Sequence, residues 1–156
     1  MFYVSTFSNG LSKKLEIQIP KKYAASFREI VVDGVSSDLS LENLKAEKLY
    51  LDSVSGDITL KNIKTDTLTA DTTSGSLDST ALIVTTSAVT NTTSGSVNLE
   101  GTINDIQHDS VSGDLRVLSD ICPQKIQADT TSGSILTNIP DNPGYTLDYD
   151  TVSGDI

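Results

Sequence analysis

A chain of 156 residues with a formal charge of −10 suffices for one folded domain and is too acidic to favour phosphate backbones or anionic bilayers. With no Trp, five Tyr and three Phe its core must be aliphatic, and a single cysteine, Cys122, excludes an intramolecular disulfide. No stretch reaches the length of a membrane-spanning helix, so direct membrane insertion is not expected.

Residues 1–29 stand outside any repeat. Met1-Phe2-Tyr3-Val4-Ser5 lacks the basic region and apolar run of a signal peptide. Leu15-Glu16-Ile17-Gln18-Ile19 alternates and predicts a strand ended by Pro20, while Lys13, Lys14, Lys21 and Lys22 beside it read as a solvated face. An uncovered strand edge is a template for unwanted pairing, so this segment is expected to cap the first repeat.

From residue 30 to 156 one phrase recurs seven times, as Ser36-Ser37, Ser55-Gly56, Ser74-Gly75, Ser94-Gly95, Ser112-Gly113, Ser132-Gly133 and Ser153-Gly154. The second residues are spaced by 19, 19, 20, 18, 20 and 21, a period that marks a solenoid. Let that second residue be position 0. Position +2 is aliphatic every time (Leu39, Ile58, Leu77, Val97, Leu115, Ile135, Ile156), and so is −7 (Ile30, Leu49, Leu68, Ala88, Ile106, Ile126, Leu147). Further apolar rows fall at +4 and near +7 or +8. Short alternating runs between turn residues are strands, and so short a period leaves no room for a useful helix. The fold expected is an all-β, single-stranded parallel β-helix of about seven coils, the last incomplete because Ile156 stops in mid-repeat. Parallel crossovers are right-handed as a rule, and like positions then stack about 4.8 Å apart.

The turn carries its own chemistry. Glycine at position 0, at Gly56, Gly75, Gly95, Gly113, Gly133 and Gly154, predicts a backbone with positive φ. Two flanking positions vary together. Where −2 is Val (35, 54, 111, 152), +1 is Asp (38, 57, 114, 155); where −2 is Thr (73, 93, 131), +1 is Ser (76, 96, 134). The expectation is that Thr and Ser bond each other across the turn, whereas Asp accepts from backbone N–H groups.

Position −4 forms a ladder of Asp33, Asp52, Asp71, Asn91, Asp109, Asp129 and Asp150. Carboxylates at coil spacing repel by about 1 kcal/mol per pair in water, so something must offset them. Either each accepts hydrogen bonds from the turn that comes after it, or a hard cation such as Ca²⁺ bridges neighbours, with Asp52, Asp71, Asp109 and Asp129 as candidate ligands. No twelve-residue calcium loop is present and no other cofactor is implied. His108, the single histidine, sits at −5 between Thr90 and Ala128 and reads as a packed side chain. Cys122 beside Pro123 reads as a small turn residue, and Pro140-Asp141-Asn142-Pro143-Gly144 as a turn loop.

The phrases Asp52-Ser53-Val54-Ser55-Gly56-Asp57-Ile58 and Asp129-Thr130-Thr131-Ser132-Gly133-Ser134-Ile135, with the lead-in Leu15–Pro20, resemble a bacterial adhesin family of unknown function over about residues 12–156. The resemblance implies a right-handed parallel β-helix, a place at the cell envelope or outside the cell, and for some relatives company with envelope-stress regulators. It carries no functional residues.

Three functions are compatible with the residues. A polysaccharide-cleaving β-helix needs convergent carboxylates and sugar-stacking aromatics, whereas here the acids lie in ladders, Arg116 is the one arginine of the region 30–156 and Trp is absent. The chain is therefore expected not to be an enzyme. A rigid rod with repeated Ser/Thr/Asp faces suits multivalent attachment to an envelope polymer or protein surface. The third is a scaffold that self-associates end to end.

Overall fold

The computed structural model describes residues 2–6, 26–141 and 146–155, and among them there is no helix. The strand expected at Leu15–Ile19, its four lysine neighbours, most of the Pro140–Gly144 loop and Ile156 lie outside the described residues.

Strand β1 (Phe2–Thr6) is followed by β2 (Phe27–Gly34), β3 (Leu39–Glu42), β4 (Lys45–Ser53), β5 (Ile58–Lys61), β6 (Lys64–Thr72) and β7 (Leu77–Thr80). Then come β8 (Leu82–Thr92), β9 (Val97–Ile103), β10 (Asp105–Ser110), β11 (Leu115–Ser119), β12 (Lys125–Thr130), β13 (Ile135–Asn138) and β14 (Thr146–Thr151). Every pairing is parallel and joins one coil to the next. The even-numbered strands from β2 to β14 stack into one side of the rod, which makes about six turns. Odd strands β3 to β13 stack into a second side. A short third side is built from the first residues of β4, β6 and β8 and the end of β9.

The register is the one the repeat dictates. Leu49 lies over Ile30 and Asp52 over Asp33; Ile58 lies over Leu39. Unequal coil lengths are absorbed at the corners: β8 fits one extra residue opposite β6, so Thr65 faces Val84 but Thr67 faces Ser87. The apolar rows at −7, +2 and +4 point inward, and Leu49, Ile58, Leu60, Leu68, Leu77, Leu99, Ile106 and Leu115 are fully buried. Ile63, Leu82 and Ile103 close the core at the third side. Alternation thus does for each coil what it does for any half-buried strand.

Part of the N-terminal segment covers the first coil. β1 pairs with β2, placing Phe2 against Ile30 and Thr6 against Gly34.

Candidate functional site

Between positions −4 and −2 the chain leaves the first side and turns toward the second. The bend opens a groove along the rod. One stretch, about 310 Å³, has Asp52, Asp71, Asn91 and Asp109 on one wall and Thr73, Thr93 and Val111 on the other, with Thr72, Thr92 and Ser110 between them. A second stretch of about 220 Å³ continues past Asp129 and Asp150, facing Thr131 and Val152. All four candidate aspartates therefore line one wall of one groove.

The groove floor is a row that reading the sequence passes over. Position −3 holds Ser53, Thr72, Thr92, Ser110, Thr130 and Thr151, all hydroxylic after Gly34 in the first coil. Ser53 Oγ accepts from Gly56 N at 3.1 Å and donates to Gly56 O at 2.8 Å; Thr72 does the same with Gly75, both at 3.0 Å. Thr92 Oγ1 accepts from Gly95 N at 2.9 Å, and Ser110 Oγ donates to Gly113 O at 3.1 Å. A turn must satisfy its buried amide, and the hydroxyl three residues upstream does so locally. The signal is present in the sequence, because no other row is so uniformly Ser or Thr on an inward parity.

The same row explains why the −4 carboxylates are not turn acceptors, one of the two roles expected for them. Among the described residues no turn N–H donates to them; at Gly56, Gly75 and Gly95 the amide is already taken by the −3 hydroxyl. Along the column, the single bond among the described residues is Asn91 Nδ2 donating to Asp71 Oδ1 at 2.6 Å. Burial holds the Asp52 carboxyl above the ordinary aspartate range, and the charges of Asp71 and Asp33 push it the same way. Asn91 interrupts this column where it would otherwise run unbroken from coil to coil. As for the calcium reading, the aspartates stand in a line rather than around a point. Among the described residues no three His, Cys, Asp or Glu side chains gather closely enough to hold a metal.

The glycines at position 0 are required for a reason other than the one expected. None of Gly56, Gly75, Gly95, Gly113, Gly133 or Gly154 has positive φ; among the described glycines that belongs to Gly101, at 144°. A Cβ on Gly95 would instead drive into the carbonyl oxygen of Gly75, one on Gly75 into that of Gly56, and so on up the column. The coils touch backbone to backbone there, and only a residue without a side chain fits. Left-handed backbone falls at another corner, position +6, held by Asn43, Asn62, Ala81 and Gly101. Asparagine tolerates that region, and Asn62 Nδ2 donates to Asn43 Oδ1 at 2.7 Å to start a ladder of its own.

Position +1 follows half of the expectation. Asp57 Oδ1 accepts from Ser76 N at 2.8 Å, Asp114 Oδ1 from Ser134 N at 2.8 Å, and Asp38 Oδ1 from Asp57 N at 3.1 Å. The donor is thus a backbone N–H, as expected, but of the next coil rather than the aspartate's own turn. Among the described residues no bond joins Thr73 to Ser76, Thr93 to Ser96 or Thr131 to Ser134. The Thr residues at −2 line the groove.

His108 is buried at 1% exposure, with Thr90 and Ala128 stacked on either side, and burial lowers its pKa to about 4. It lies inside the rod and does not join the carboxylates outside. Cys122 is half-buried, its Sγ 3.6 Å from the Pro123 carbonyl oxygen.

No curated protein and no solved structure matches this chain. A family model does: the one described as Toastrack DUF4097 spans residues 1–156, and the chain belongs to that family, a domain of unknown function with a β-helix-like fold.

Proposed function

We propose that this protein is a non-enzymatic binding module of the bacterial cell envelope, adhesin-like in attaching through repeated weak contacts to an envelope polymer or protein surface. The observation that carries the reading is the groove. Its walls repeat the same groups once per coil, carboxylate or amide on one side and Thr or Val on the other. Many identical weak contacts along one rigid line raise avidity without any single strong site. The ladders also support the absence of catalysis, since hydrolysis of a glycosidic bond wants two carboxyls facing each other across the scissile bond, not a file of them.

Co-sedimentation with isolated bacterial cell walls tests this. The native chain is expected to sediment with the walls, and Thr73→Lys/Thr93→Lys, which fills the groove, to remain in solution. Equal sedimentation of both, or none by either, overturns the groove as the attachment site.

A second reading is a scaffold built by end-to-end pairing. It draws on the last coil, where β14 leaves Leu147 and Tyr149 exposed at core-facing positions and Val152 is 82% exposed. Light-scattering mass that rises with protein concentration would favour it over lateral attachment, and a constant monomer mass would remove it.

A further inference from the structure

Among the described residues the buried side chains of this rod are aliphatic or hydroxylic, with one titratable exception, His108. Position −5 points inward and reads Leu51, Ala70, Thr90, His108 and Ala128 through the middle coils, so an imidazole sits where its neighbours have small or apolar groups. Its Nδ1 is 2.9 Å from Thr90 Oγ1, and its Nε2 is buried with no hydrogen-bond partner. A protonated imidazole has two N–H donors, and one of them would have nothing to donate to. Burying that charge unpaired is among the costliest changes a core can suffer.

Among the described residues no countercharge waits nearby. β8 carries no titratable side chain at all. On β10 itself Asp105 and Asp109 occupy outward positions, as do Lys125 and Asp129 on β12. Across the core, Glu100 of β9 and Arg116 of β11 also face outward. The proton can therefore be accommodated only by bringing His108 to water.

We propose that His108 makes the middle of the solenoid an acid-triggered opening point, at which protonation separates β10 from β8 and β12 while the flanking coils stay stacked. Coils contact only their neighbours, so opening one joint leaves the others formed. The direction follows from linkage. In the opened state His108 has its ordinary pKa of about 6.5, against about 4 when packed. Above pH 6.5 both states are neutral and nothing changes; below it the opened state binds the proton first, and the gain saturates beneath pH 4. Relative to pH 7.5 the opening equilibrium should rise about 30-fold at pH 5 and about 150-fold at pH 4.

Amide hydrogen exchange on the full chain, corrected for the intrinsic pH dependence of exchange, reads this directly. For the native chain, protection across 88–92, 105–110 and 125–130 should fall by those factors while 49–51 and 58–60 lose far less. In His108→Gln, which stays neutral, the acid-dependent loss should disappear whatever the variant's stability at neutral pH. Should that variant not fold, the native chain still answers, because its one histidine gives a single imidazole signal by NMR. A native titration midpoint at or above 6.5, equal acid sensitivity in native and His108→Gln chains, or uniform loss of protection along the rod would each overturn the proposal.

Discussion

At position 0 the difference between glycine and alanine is one methyl group and no space for it. Gly95→Ala must push its Cβ into the Gly75 carbonyl oxygen, and both are backbone, so neither side yields cheaply. A loss of about 3 kcal/mol is expected in urea unfolding, the upper range for overpacking a close-packed site. Ala81 is the opposite case: a side chain held at φ 53°, where an L-residue is strained. Ala81→Asn should stabilise by about 1 kcal/mol and extend the Asn43–Asn62 ladder by one rung, measurable as a higher urea midpoint. These two sites also mark where reading residues stops short. Glycine in the sequence announces a special position, but positive φ and close backbone approach leave the same letter behind. Only the spatial stacking of coils tells them apart. Ala81 leaves no letter at all, since nothing about alanine signals a left-handed corner.

At the scale of the strand and its turn, periodicity is nearly sufficient. Rows at −7, +2 and +4 are core because an alternating strand has one dry face, and this can be read residue by residue. The groove is legible only in part. Its aspartate wall stands out as a column of charge, whereas its hydroxyl floor hides among the many Ser and Thr of the chain. Hydrogen bonding between coils is invisible too, because Asp57 bonds a residue 19 positions away. Asp57→Ala should therefore weaken the joint between two coils by about 1 kcal/mol, the usual worth of such a bond, while Val54→Thr, at an exposed position, changes little. The −4 column makes a pH prediction. Because Asp52 is held above its ordinary range, its ionisation opposes folding, and stability falls as pH rises through that raised value. Asp52→Asn should then melt higher than the native chain at pH 7. The advantage should vanish below about pH 3, where every carboxyl is protonated in both.

For the whole molecule the design is modular. Deleting residues 57–75, one full period of 19, joins Gly56 to Ser76 and leaves every row in register. The product should keep a β-sheet circular dichroism spectrum and a cooperative, less stable transition, whereas deleting 57–66, about half a coil, carries each later strand to the opposite side of the rod from its stacking partner and should not fold. Charge is not modular. Among the described residues, 26–64 carry five Lys and Arg against seven acids, and 65–155 carry two against thirteen. The described coils are thus electrically lopsided along the axis, and salt should act mainly on the later, acidic ones.

A groove whose walls repeat once per coil is also a ruler. Its marks stand about 4.8 Å apart, and anything long laid against them must keep step or drift out of phase. An extended polypeptide advances about 3.3 Å per residue, so three of its residues span roughly what two coils span. Such a chain would meet the same wall group at every third residue. Asn91, the one amide in the file of carboxylates, would be the mark at which its phase is set.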